Sequence, residues 1–307
     1  LELVVLSHSD DDHVVGLLDL FAELREQRAN GQHETIEIDA LWHNTFDQTI
    51  DFDRSIEARV ENLSVAAGAD PEAMDATGAV LRTVGQADEL RVNAGFLEIP
   101  LNAGFADGLV SVDNAPGPIV LDNLTLHIVG PTRENLEKLR KEWERWLDRC
   151  EEDIASGEPL VKEMADKRPP DLSSIMILAE ADGKTLLLTG DGRGDHLIQG
   201  LAQSGLLDDA GTYHTDVMKV AHHGSDRNAT LQFFKTVTAD RYVISADGKN
   251  DNPDMKTLTW IITAAKDQNR PIEIVVTNET SSTKQLVQTY DPADYGYRLI
   301  IMDRSAH

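Results

Sequence analysis

A layered α/β fold is predicted for this 307-residue sequence by three features. Short apolar runs alternate with amphipathic helical segments along most of its length, and such alternation builds sheets covered by helices. Hydrophobic residues make up 41% of the chain, enough to fill a core of that kind. No apolar stretch nears the roughly 18 residues of a membrane span, and no basic-then-apolar leader opens the chain. A soluble, cytoplasmic protein with no membrane partner is therefore expected.

The elements follow in order. Residues 1–8 form an apolar run ending in polar residues, the pattern of a buried strand that delivers its last side chains to a sheet edge. Gly16 to Arg28 reads as an amphipathic helix with Leu17, Leu20, Phe21 and Leu24 on one face. A short strand is expected at 36–42, then helix over 53–92, broken at Asp70-Pro71, where Asp70 caps the next segment. Residues 95–118, rich in Gly, Asn and Pro, read as irregular surface. A strand at 124–129 precedes a charged helix from Arg133 to Cys150, and the polar stretch 151–172 reads as a mobile loop. Strands at 174–180 and 184–189 flank the turn Asp182-Gly183. Strand signals at 216–221, 241–245, 272–277 and 297–302 alternate with helical ones at 195–204, 229–237 and 254–268. The whole, 1–307, is read as a single domain with an inserted segment at 44–118.

The formal charge of −26 is the wrong sign for gripping long nucleic acid through its phosphates. A small or end-bound substrate is favoured, since metal ions reverse the local field for a single phosphate. A lone cysteine, Cys150, excludes an internal disulfide and a thiolate zinc knuckle. It is read as a helix-face residue.

Chemistry concentrates in three places. Ser7-His8-Ser9-Asp10-Asp11-Asp12-His13 sets two histidines and spaced carboxylates in one turn after a strand. Imidazole suits zinc, and carboxylates suit harder ions such as manganese. The competing reading, an N-capping cluster ahead of the helix, needs Asp and Ser but not a histidine at each end. Asp191 follows the apolar run Leu-Leu-Leu-Thr-Gly, so a strand ends by presenting a carboxylate suited to bridging two cations. His222 and His223 end another strand ahead of Gly224. Adjacent strand residues face opposite sides, so one is expected to ligate and the other to hydrogen-bond or touch substrate, with the choice left open. Ser225 reads as a helix-capping serine, because no orienting acid makes it a nucleophile. The remaining histidines lack partner motifs and read as structural or exposed.

Together these blocks resemble a known family. His8-x-Asp10-x-Asp12-His13 followed by Val-Val-Gly-Leu is similar to the His-x-His/Asp-x-Asp-His signature of the metallo-β-lactamase superfamily. The Asp at its second ligand position matches the ComEC-type competence-protein domain and its stand-alone relatives. The strand pair ending in Thr-Gly-Asp191, the block Asp216-Val-Met-Lys-Val-Ala-His-His-Gly-Ser225 and Ile-Val-Gly-Pro-Thr132 follow in the family's order. The resemblance spans residues 1 to about 250. It implies an αββα sandwich with further strands ahead of Leu1. It also implies two divalent ions, zinc first and manganese second, held by His8, Asp10, Asp12, His13, Asp191 and His222 or His223. Two departures stand out. Gly130 replaces a histidine that the family often carries after the strand at 124–129, and Asp251-Asn252-Pro253 replaces a Gly-His-Pro-like block. Asn252 is a poor zinc ligand, better suited to a phosphate or a harder metal.

The expected reaction is hydrolysis by a metal-bridged hydroxide, since two cations about 3.5–4 Å apart bring a shared water to near-neutral pKa. Asp12 and Asp191 are the candidates to hold that water, and Lys219, Ser225 and Asn252 to contact substrate. The resemblance implies a phosphodiesterase or nuclease-like enzyme, its substrate a phosphodiester or other phosphate-containing small molecule, with nucleic acid an option that the charge disfavours. The alternatives are an ester, lactone or amide hydrolase of the same fold, and a catalytically degenerate metal-binding module that docks a partner.

Overall fold

The computed structural model describes residues 1–67, 71–156 and 173–302. Its contacts group the chain into two compact units, Leu1–Ala115 with Arg133–Ser173, and Pro116–Thr132 with Ser174–His307. The sequence predicts a single domain with 44–118 as an insertion. In the structure, 44–115 belongs to the same unit as the opening residues.

The first unit is mostly helical. Strands β1 (Val4–Val5) and β2 (Leu41–Trp42) pair in parallel, with Val4 opposite Leu41. Both are far shorter than the strands expected at 1–8 and 36–42. The apolar runs signalled burial rather than pairing: Leu6, Ile38 and Leu41 enter a core with Phe21, Leu24 and Leu90. Helix α1 (Asp11–Ala29) starts five residues ahead of Gly16 and buries Val14, Leu18, Phe21 and Leu24, while Leu17 and Leu20 lie at the margin. The early start is physical: Asp11 and Asp12 occupy the first turn, where the helix dipole favours negative charge.

Helices α2 (Phe46–Thr49), α3 (Ser55–Ala67) and α4 (Pro71–Phe96) follow, then α5 (Arg133–Ser156). On α5, Leu136, Leu139, Trp143, Trp146, Leu147 and Cys150 share a core with Ile56, Val60 and Leu63 of α3. That helix continues six residues into the stretch expected as a loop. Arg59 on α3 donates to both Asp148 and Glu151 at 2.7 Å and ties down its last turns. The rest of that expected loop, 157–172, and the capping Asp70 lie outside the described residues.

The second unit is an α/β layer built on a mixed eight-stranded sheet whose strands lie side by side in chain order. Strands β3 (Ile119–Leu121), β4 (Leu124–Gly130), β5 (Met176–Ala181) and β6 (Lys184–Leu188) are antiparallel. Strands β6, β7 (Tyr213–Lys219), β8 (Val237–Ile244), β9 (Ile272–Val276) and β10 (Tyr297–Ile301) are parallel. Asp182 and Gly183 both take positive φ in the β5–β6 hairpin, the geometry of the expected tight turn. Helices α6 (Gly194–Gln203), α7 (Leu231–Thr236), α8 (Met255–Asp267), α9 (Ser281–Thr289) and α10 (Pro292–Tyr295) connect the parallel strands. The core between sheet and helices is led by Phe234, Tyr242, Leu258, Ile261 and Ile274.

This arrangement positions the chemistry. All five parallel strands end at one edge of the sheet, and the connections beyond their carboxyl ends carry Asp191, His222, His223 and Ser245. That edge is where open α/β sheets present their ligand-binding loops.

Candidate metal centre

In the first unit, β1 hands the chain to Ser7 and His8, and Asp10 starts α1. Asp10 occupies the N-cap position, yet its side chain makes no capping hydrogen bond, and only its backbone carbonyl accepts from His13 and Val14. The carboxylate is thus not spent on capping. His8 is 2% exposed, and its ring lies 4.0 Å from that of His13. Ser7 Oγ is 3.1 Å from His8 Nδ1 and 3.4 Å from His13 Nδ1. Opposite those nitrogens, His8 Nε2 faces Asp10 Oδ2 at 4.0 Å and His13 Nε2 faces Asp12 Oδ2 at 3.7 Å. The structure therefore brings all four predicted ligands of the opening motif into one cluster. Each imidazole points its outer nitrogen at a carboxylate across a gap wider than a hydrogen bond.

In the second unit, Asp191 follows β6 and is 6% exposed. Its N–H donates to Ser174 Oγ at 3.1 Å and its carbonyl accepts from Asn228 Nδ2 at 2.6 Å. Lys219, at the end of β7, donates to Gly190 O at 2.8 Å and stands 3.6 Å from Asp191 Oδ1. Its ammonium offsets part of the cost of burying that carboxylate. Lys219, expected to contact substrate, has its ammonium in the Asp191 turn.

His222 and His223 do not lie on a strand, which corrects the alternation argument. They form a tight turn beyond β7 with φ of 49° and 53°, so strand geometry does not set their directions. His222 Nδ1 donates to Asn228 Oδ1 at 2.9 Å, and its Nε2 is 3.9 Å from Asp191 Oδ2. His223 Nδ1 donates to the carbonyl of Ser245 at 2.5 Å. A carbonyl only accepts, so the neutral His223 ring carries its lone pair on Nε2. Both rings thus present Nε2 as the acceptor end. Of the two, His222 is the one the second unit places beside Asp191.

Gly224 closes this turn at φ 85°, and a Cβ there would lie 2.7 Å from Pro253 Cβ. Only glycine admits both the conformation and the approach. Ser225 does not cap the start of the helix that follows, α7, whose N-cap is Thr230. It ends the same turn, is buried, and its hydroxyl accepts from Arg227 N at 3.4 Å. Asn252, the other proposed substrate contact, precedes Pro253 and donates its N–H to Lys249 O at 3.1 Å. Asp254 fastens the two loops, donating its N–H to Gly224 O and accepting from Asp226 N.

At Gly130 the structure explains the departure from the histidine pattern. A Cβ there would lie 2.1 Å from Met176 Cε, and one at Gly192 would lie 2.4 Å from Met176 Sδ. Two glycines make room for one buried methionine where the resembled family often carries an imidazole. The other described histidines are dispersed. His127 faces Glu180 at 3.7 Å, His214 bonds Thr238, His43 and His196 are buried, and His33 is exposed. His307 lies outside the described residues.

Asn228 is the functional residue the sequence reading missed. It sits six residues past His222 in Asp-Arg-Asn, with no spacing pattern to mark it. Ser7 was inside the quoted motif, but its position beneath both imidazoles shows only in three dimensions.

The residues fit a divalent cation on their own chemistry. A lone-pair nitrogen and a buried carboxylate oxygen 3.9 Å apart make an imidazole–carboxylate pair, a donor set for Zn²⁺ or Mn²⁺. Among the described residues no helix is long and apolar enough to cross a membrane. Compared with protein-family models, curated proteins and solved structures, the chain shows no match in any of the three.

Proposed function

We propose that this chain is a metal-dependent hydrolase of the metallo-β-lactamase type, acting on phosphodiesters of small or end-bound substrates. The observation that carries the reading is the facing pair His222 Nε2 and Asp191 Oδ2, 3.9 Å apart with the ring's other nitrogen already committed to Asn228. The cluster of His8, Asp10, Asp12 and His13 repeats that arrangement in the first unit and supports it independently.

In this reading Asp191 and His222 hold one part of the metal load, and His8, Asp10, Asp12 and His13 the other, with His223 an additional candidate ligand. When bound, two divalent cations supply Lewis acidity, activating water and offsetting charge that develops on phosphoryl oxygens. The chain's own residues do the positioning. Lys219 fastens the Asp191 turn through Gly190 O, and Ser174 fixes the Asp191 backbone. His223 is oriented by Ser245 O. The net charge of −26 disfavours a long polyanion, so a nucleotide-sized or terminal phosphodiester is the proposed substrate class.

A second reading, a metal-binding docking module without activity, is favoured by Met176 filling the space beside Gly130. One assay separates the two. The full chain, loaded with Mn²⁺ or Zn²⁺, is expected to hydrolyse bis-p-nitrophenyl phosphate faster than a panel of lactones. Asp191→Ala, shown to be folded by its thermal transition, is expected to lose at least about 100-fold in rate. Lactone hydrolysis alone would move the substrate class to esters. Metal binding with no turnover of either would establish the docking module.

A further inference from the structure

We infer that Asn228 is a positioning residue that selects the ligating nitrogen of His222 and aims it at Asp191; this rests on His222 being a ligand in the proposed hydrolase. Asn228 is 4% exposed, and its amide is read without ambiguity from its partners. Nδ2 donates to the backbone carbonyl of Asp191 at 2.6 Å. That carbonyl can only accept, so the NH₂ must face it and Oδ1 must face His222. Oδ1 lies 2.9 Å from His222 Nδ1 and can likewise only accept, so Nδ1 carries the hydrogen. The neutral ring is then left with its lone pair on Nε2, the nitrogen 3.9 Å from Asp191 Oδ2.

The same residue is fastened from a third direction. Its backbone carbonyl accepts from Gly194 N at 2.7 Å, at the first residue of α6. One buried residue therefore ties three segments together, its side chain joining the Asp191 and His222 turns and its backbone carbonyl the start of α6, while His222 sits at a positive φ that non-glycine residues seldom adopt. A knot with a purely mechanical role would need those hydrogen bonds but would have no reason to fix a tautomer. Metal-ligating imidazoles, by contrast, characteristically give their other N–H to an oxygen that sets tautomer and ring direction.

The test reads the tautomer directly in the metal-free full chain, selectively labelled with ¹⁵N-histidine, above the ordinary imidazole pKa of about 6.5. His222→Gln assigns the signals. The wild type is expected to show His222 protonated at Nδ1 with Nε2 bare. Asn228→Ala is expected to shift the proton to Nε2, or to a mixture, and to weaken Mn²⁺ binding by about 10–100-fold. Asn228→Asp keeps an acceptor for Nδ1–H and is expected to preserve the wild-type tautomer. A wild-type ring protonated at Nε2, or an unchanged tautomer in Asn228→Ala, would overturn the inference. Should Asn228→Ala fail to fold, the wild-type and Asn228→Asp spectra still decide it. Because the spectrum needs neither metal nor substrate, an inactive protein with the expected tautomer would sink the hydrolase reading alone.

Discussion

Asp191 and Asp216 carry the same charge in the same unit, and their surroundings put them to opposite uses. Asp216 on β7 accepts from Lys184 Nζ at 2.6 Å and from Thr185 N at 2.9 Å. The Lys184 ammonium, with help from Thr185, holds its carboxyl down at about 2. Its acceptors are saturated by neighbours on β6, which makes it a sheet fastener. Asp191 instead stands beside a lysine that is committed to Gly190 O and an imidazole whose lone pair faces it. A direct check at this scale is a carboxyl ¹³C titration of Asp216. Its folded value lies below the ordinary carboxylate value of about 3.9. The stabilisation is therefore present above that value and lost as pH falls through about 2. Lys184→Met is expected to raise the Asp216 pKa toward the ordinary range, and an unchanged value would remove Lys184 as the cause.

Elements succeed or fail here by how closely their backbones approach. Helix α6 lies against β4 so tightly that a Cβ at Gly200 would sit 1.9 Å from the backbone oxygen of Val129. Gly16, in the second turn of α1, has nothing within 4 Å of the same position. The two glycines thus predict opposite outcomes for one substitution. Gly16→Ala is expected to stabilise by about 1 kcal/mol through helix propensity, whereas Gly200→Ala is expected to cost about 1–3 kcal/mol as α6 is pushed off the sheet. Calorimetric melting of the two variants checks this, and a stabilised Gly200→Ala would refute the contact.

Some of these elements are legible in the sequence and others are not. Strands β5 and β6 and their Asp182-Gly183 turn could be read because period, length and turn residues agree locally. Helices α3, α4 and α8 announced themselves by long periodic patterns. Strands β1 and β2 were overread, because apolar runs report burial whether or not a partner strand exists. Strand β3 and helix α10 are too short for a periodic signal to rise above their surroundings. At the site, the ligand types at 8–13, 191 and 222–223 were visible as motifs. The turn conformation of His222-His223 was not, since positive φ is rare for residues other than glycine and no local pattern marks it. Asn228 was invisible for a related reason: its meaning lies in two partners brought to it by different strand ends.

At the scale of the whole molecule, the chain is a pair of compact units, one helical and one built on a sequentially ordered mixed sheet. Each carries its own set of imidazoles facing carboxylates. A formal charge of −26 leaves such sets as the places where an acidic protein would concentrate cations selectively rather than diffusely. The most direct measurement is calorimetric titration of Mn²⁺ into the metal-stripped full chain, beside His8→Ala from the first unit and Asp191→Ala from the second. Two ions per chain, with binding weakened by either substitution, is the predicted result. No binding above the diffuse level, or binding that both variants retain unchanged, would contradict the account.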